Sequence, residues 1–216
     1  MSRNTRRAID HFHRLECSEK SLSDKTMKTK HIILGSASPR RRELLSGLGV
    51  EFEVDARNAF EEKYSPDTPH RDIPLILSRG KSHGFHRQLT ENEILLTADT
   101  LVLCGDEVLG KPRDREDAVR MLHRLSGRTH EVITGVTIRD SRREESFSDT
   151  CLVHFAPLSD EEINFYIDKY KPFDKAGAYG IQEWIGYAAI TGISGSYFTV
   201  MGLPVHRVYQ ELKKFL

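Results

Sequence analysis

Asp99 is the first acid to consider, because it follows the apolar run Ile94-Leu95-Leu96-Thr97-Ala98. A carboxylate at the C-terminal end of a buried strand sits where α/β sheets place their ligands. It can ligate a metal ion or activate a water there, or simply cap the turn that follows. Lys111, in Gly110-Lys111-Pro112, presents an ammonium from a restrained turn, although taken singly it is an exposed lysine. Glu61-Glu62 in a polar loop and Lys81 on a helix read, by themselves, as solvated charges. His130 has no second His or Cys at ligand spacing, so a structural role is expected for it.

A second cluster lies in Gly35-Ser36-Ala37-Ser38-Pro39-Arg40-Arg41-Arg42. Ser38 is placed to cap a helix and Pro39 to occupy its first position, with Leu44, Leu45 and Leu48 on one face. The free N–H groups of that helix start, ringed by two hydroxyls and three guanidinium groups, suit a polyphosphate. The alternative is a capped surface helix with a solvated basic face. Near the other end, the glycines of Asp174-Lys175-Ala176-Gly177-Ala178-Tyr179-Gly180-Ile181-Gln182 match no Rossmann or P-loop spacing. They do let backbone approach a planar ligand, and Gln182 has the donors and acceptor to read a base edge.

The elements that position these residues follow from periodicity. His31–Leu34 reads as a strand before the Ser-Pro helix, and 50–54 as another. A helix is predicted over 71–89, weakened by Gly80 and Gly84. Residues 94–98 read as a strand delivering Asp99 and Thr100 at its end, and 101–103 with 108–109 as a small hairpin around Gly105-Asp106. Asp114 caps a helix stopped by Gly127, and strands follow at 130–139 and 147–155. Ser159 with Glu162 forms a capping box for a helix through Tyr170. Strand-like pieces lie near 187–191 and 196–200, before a final helix carrying Val205, Val208, Leu212 and Leu216. This order predicts an α/β (α+β) sheet with helices packed on it, and excludes a parallel doubly wound sheet.

Lys+Arg and Asp+Glu both total 32, so net charge gives no support to a nucleic-acid partner. With 216 residues, 38% of them hydrophobic, the chain can bury a sizeable core. Its three cysteines, Cys17, Cys104 and Cys151, lack metal-ligand spacing and cannot all pair, which fits a reducing compartment. No apolar run is long enough for a membrane span, and the cytoplasm is the expected location. Residues 1–28 are polar and expected to be a poorly ordered extension, leaving 29–216 as a single domain.

Ser36-Ala37-Ser38-Pro39-Arg40-Arg41, Ala98-Asp99-Thr100, Gly110-Lys111-Pro112, Leu125-Ser126-Gly127 with His130, and Asp174 to Gln182 with Gly202-Leu203-Pro204 occur in this order. Together they resemble the ordered signatures of the Maf family of nucleoside triphosphate pyrophosphatases, from about residue 31 to the C-terminus. The resemblance implies a Maf/ITPase-like mixed central sheet with flanking helices, in two lobes around a nucleotide cleft. It also implies hydrolysis of a nucleoside triphosphate between its α- and β-phosphates, with Mg²⁺ or Mn²⁺, by a homodimer. Carried over by position, Asp99 is catalytic base or metal-bound carboxylate, and Glu62 a second metal-site acid. Arg41, Lys81 and Lys111 would clamp phosphate, assisted by Ser36 and Ser38.

Arg40, Thr100 and Gln182 resemble the set carried by the branch acting on dTTP and UTP, where the 7-methyl-GTP branch has Trp, Gln and Glu. A nucleotide-binding regulator of septum formation without turnover is the alternative function. Two departures from the family pattern stand out. The usual Leu-Ala-x-x-Lys-Ala is Leu77-Ser78-Arg79-Gly80-Lys81-Ser82, and Thr199 replaces a common Asn.

Overall fold

In the computed structural model, which describes residues 30–216, His31–Leu34 forms β1 and Pro39–Ser46 forms α1. The 1–28 extension lies outside the described residues. Ser38 caps α1, its hydroxyl accepting the Arg41 N–H at 3.4 Å. There follow β2 (Phe52–Val54), α2 (Ile73–His83), β3 (Glu93–Cys104) and β4 (Glu107–Leu109). Next come α3 (Arg115–Leu125), β5 (Thr129–Arg139), β6 (Glu144–Phe155) and α4 (Asp160–Tyr170), whose capping box of Ser159 and Glu162 is complete. The chain closes with α5 (Trp184–Ala188), β7 (Ile190–Ser194), α6 (Tyr197–Met201) and α7 (Val205–Leu212).

The strands form one mixed sheet in the order β2-β1-β3-β5-β6-β7, with β4 beside β3. β1 runs parallel to β2 and β3, and the remaining pairs are antiparallel. Alternation along β3 divides the interior. Ile94, Leu96, Ala98, Val102 and Cys104 enter the main core, while Leu101 and Leu103 join Ile73 and Leu77 of α2 on the opposite face.

Four expectations need correcting. The run 94–98 and the first arm of the predicted hairpin are one strand, β3, so Asp99 lies in its interior and not at its end. The helix expected over 71–89 ends at Gly84, after which Phe85 and Leu89 turn in against Ile33 and Leu95. The strand expected over 196–200 is the short helix α6, closed by Gly202 at φ +103. The piece near 187–191 is divided between α5 and β7.

β3 is pinned at its start by Glu93, whose two oxygens accept from both Arg87 Nη atoms at 2.8 Å and from the Thr90 N–H at 2.8 Å. The Arg87 hydrogen bonds hold its carboxyl down at about 2, below the usual carboxylate range. A depressed carboxyl stabilises the fold fully above its unfolded-state value and loses that contribution as pH falls through the folded one. Glu93→Gln should therefore lower the urea midpoint at pH 7, with the gap to wild type closing between pH 4.5 and about 2. An undiminished gap at pH 2 would disprove the linkage.

Candidate active site

The site opens where β3 changes neighbours. β1 pairs with β3 as far as Leu34 and Leu96, and β4 takes the same edge only from Val102 onward. Between them, residues 97–101 have β5 on one side and no strand on the other. Arg41 fills part of this gap, its Nη1 donating to the Ala98 carbonyl at 2.8 Å. An orphaned strand carbonyl is thus satisfied by a side chain from α1.

Strand alternation sends Asp99 and Thr100 to opposite faces of this gap. Asp99 faces α2 and meets Lys81 Nζ at 2.5 Å, and the same ammonium meets Glu62 at 2.8 Å. The Lys81 hydrogen bond is also the main cause that holds the Glu62 carboxyl below its ordinary value. The serines of α2 that depart from the family pattern strengthen its seat on the sheet. Ser78 and Thr137 hydroxyls lie 3.0 Å apart, Thr97 donates to the Ser78 carbonyl at 2.7 Å, and Arg139 Nε donates to Ser82 Oγ at 3.1 Å. At Gly135, opposite Asp99 in register, a Cβ would fall 2.4 Å from α2 backbone, so glycine permits this approach.

Thr100 lies on the other face, beneath Arg41. Arg41 Nη2 donates to its hydroxyl at 3.0 Å, and Thr134 spends its own proton on the Thr199 carbonyl at 2.9 Å. The 3.0 Å contact between the two threonines must therefore carry the Thr100 proton toward Thr134. Thr199 continues the chain by donating to Asp149, so the departure from Asn has a defined partner. Arg41 also donates to the Gly202 carbonyl at 2.9 Å and to Ser36 Oγ at 3.3 Å. Burial pushes this guanidinium down, opposed by the Asp99 charge.

Two adjoining hollows, of about 330 and 440 Å³, share Ser38, Arg40, Arg41, Glu62, Lys81 and Lys111. The first continues to Asp99, Thr100 and Gln182, and the second to Ser36 and the start of α1. All ten sequence-predicted site residues thus line one cleft. At the Gln182 end, its Oε1 is buried without a protein partner. His130 Nε2 lies 2.8 Å from the Tyr179 hydroxyl, and burial lowers its imidazole to about 4, which keeps it neutral and suits a structural role.

Sequence reasoning missed the ion pairs around this end. Arg40 reaches Asp174 at 3.1 Å across the cleft mouth, and buried Lys175 meets Asp174 at 2.7 Å and Glu183 at 3.1 Å. Glu183 accepts from Tyr166, whose hydroxyl accepts the Gly180 N–H at 2.9 Å, so the glycine loop is braced from behind. A lysine set among glycines and alanines was the available signal.

Among the described residues, no group of three or more His, Cys, Asp or Glu could hold a metal ion. Glu62 and Asp99, converging on one ammonium, nevertheless offer the hard oxygen donors that Mg²⁺ or Mn²⁺ takes when it draws its other ligands from water and phosphate. The donor set fits a cation that arrives with a polyphosphate.

The sequence pattern of the Maf-like protein family matches residues 31–215. The dTTP/UTP pyrophosphatase of Parabacteroides distasonis is 51% identical over 189 residues, which cover 88% of this chain and 98% of that protein. The protein of the same name from Phocaeicola vulgatus is 52% identical over 183 residues, covering 85% of this chain and 95% of its own. The solved structure of a HAM1 protein from Coxiella burnetii covers 60% of this chain and 74% of its own, at 11% identity and a TM-score of 0.39. A family match running from β1 past α7, with relatives half identical over most of the length, makes this chain a member of the Maf-like protein family.

Proposed function

We propose that this chain hydrolyses dTTP, UTP and their modified relatives between the α- and β-phosphates, releasing the monophosphate and pyrophosphate. The observation that carries the reading is the cleft itself. One end offers a helix start and the cations Arg41, Lys81 and Lys111, the middle an acid pair, and the other end an unpartnered amide oxygen at Gln182. The names of its relatives point the same way.

In this reading Ser38, the start of α1 and Lys111 bind the phosphates, while Arg40, paired with Asp174 at the cleft mouth, stands on the side of the base. Arg41, with four donors engaged on Gly202, Ser36, Ala98 and Thr100, holds that turn against β3 while adding its charge. Glu62 and Asp99 would hold a divalent cation, which would supply charge neutralisation on the phosphate oxygens. Asp99 takes the proton of the attacking water, whose oxygen bonds to the α-phosphorus as the bond to the bridging oxygen breaks. Lys81, within reach of both carboxylates, aligns them. Gln182 accepts from the pyrimidine N3–H and donates to a base carbonyl.

Incubation with a panel of triphosphates and Mg²⁺ or Mn²⁺ should release pyrophosphate from dTTP and UTP. Orthophosphate release would overturn the assigned bond, and nucleotide binding without turnover would favour the regulator of septum formation. A cytoplasmic homodimer completes the proposal on the strength of the family resemblance. No helix among the described residues is long and apolar enough to cross a membrane.

A further inference from the structure

Glu62 lies in the loop between β2 and α2, its side chain 56% exposed, yet its carboxylate is set 2.8 Å from the Lys81 ammonium. No helix or strand holds it there. Two residues earlier, the ring of Phe60 lies on bare backbone of α2. A Cβ at Gly80 would fall 2.2 Å from Phe60 Cζ and 2.4 Å from Cε2, and one at Gly84 would fall 2.6 Å from Phe60 Cβ. Gly80 and Gly84 are four residues apart and share a helix face.

Hydrogen bonds fix the same loop to the same helix. Ala59 N–H donates to the Gly84 carbonyl at 2.9 Å, Phe60 N–H to Asn58 Oδ1 at 2.7 Å, and Asn58 Nδ2 to the Lys81 carbonyl. Lys81 is the residue after Gly80, so the lysine and the loop bearing Glu62 are joined at one turn. Glycine weakens a helix interior relative to alanine, and here any side chain would expel the ring.

We propose that Phe60, seated on the Gly80–Gly84 face of α2, is a positioning residue that sets Glu62 against Lys81 and Asp99. The inference rests on the reading of Glu62 and Asp99 as the acid pair for the cation. It assigns a role to the two glycines that weaken this helix: they are the socket for the acid loop.

The test is calorimetric titration of Mn²⁺ into the full chain saturated with the α,β-imido analogue of dUTP, alongside thermal melts. Phe60→Ala and Gly80→Ala should each weaken Mn²⁺ binding about tenfold or more, the size usual for a lost ligand support. Gly80→Ala favours helix, so it remains folded even if Phe60→Ala does not. The double variant should be no weaker than the worse single, because both changes remove one contact. Phe60→Leu, still apolar on the glycine face, should bind within about twofold of wild type. A Glu62→Gln control separates the two claims. If it weakens Mn²⁺ binding while the folded Phe60 and Gly80 variants bind like wild type, the positioning role is overturned and the acid pair stands. If Glu62→Gln also binds like wild type, the acid pair falls and the inference with it.

Discussion

Asp99→Asn should leave a folded protein that binds nucleotide and turns it over at least about a thousandfold more slowly. Folding should survive because Asp99 sits at the open edge of β3 and its hydrogen-bond partner, Lys81, keeps Glu62 as a second one. The amide is nearly the size of the carboxylate, so no cavity opens beneath α2. It can neither take a proton from water nor neutralise a cation, and both losses fall on the transition state. Steady-state rates on dTTP should then show kcat and kcat/KM falling together, with little change in nucleotide affinity. Wild-type kcat with an unchanged metal requirement would make Asp99 a structural residue and move the general base to Glu62.

Why this aspartate was misplaced in the sequence shows what an apolar run conceals. Thr97-Ala98-Asp99-Thr100 looks like a strand end because polar residues interrupt two apolar stretches. The interruption is real, but it marks a change of neighbour. β1 leaves the edge after Leu34, β4 arrives at Val102, and Asp99 and Thr100 line the cleft that opens between them. The start of α1 was legible because its cap and Pro39 are local signals, and so was the Ser159 box of α4. The short helix α6 was not. Tyr197-Phe198-Thr199-Val200 has strand propensity throughout, and the helix is imposed by Gly202 in the left-handed region and by the buried Thr199, tied to Thr134 and Asp149.

The site residues were legible as types in an order, while their division of labour was not. Arg41 reads in sequence as one more phosphate ligand beside Arg40. In the fold it spans from α1 to β3 and to the carbonyl of Gly202, with Arg40 left to face Asp174 at the cleft mouth. Likewise Gly80 reads as a weakness in a helix, whereas its missing side chain is what admits Phe60.

This division of labour bears on base choice. Replacing Arg40, Thr100 and Gln182 together by Trp, Gln and Glu should lower kcat/KM for dTTP and UTP by roughly ten- to hundredfold or more. The largest share should come from Gln182→Glu, which keeps an acceptor for N3–H but loses both amide donors and leaves a base carbonyl unpaired, at about 1–3 kcal/mol. Thr100→Gln acts indirectly. The threonine hydroxyl passes a hydrogen bond from Arg41 to Thr134, so its loss releases Arg41 from one of its four acceptors and shifts the wall against which the base lies. Arg40→Trp removes the bridge to Asp174 and puts an aromatic face at the mouth, where a cationic purine can stack. Turnover of 7-methyl-GTP should then appear, since Asp99, Lys81 and Lys111 are untouched. A folded triple variant as active as wild type on dTTP, with no gain on 7-methyl-GTP, would show that these three positions do not read the base.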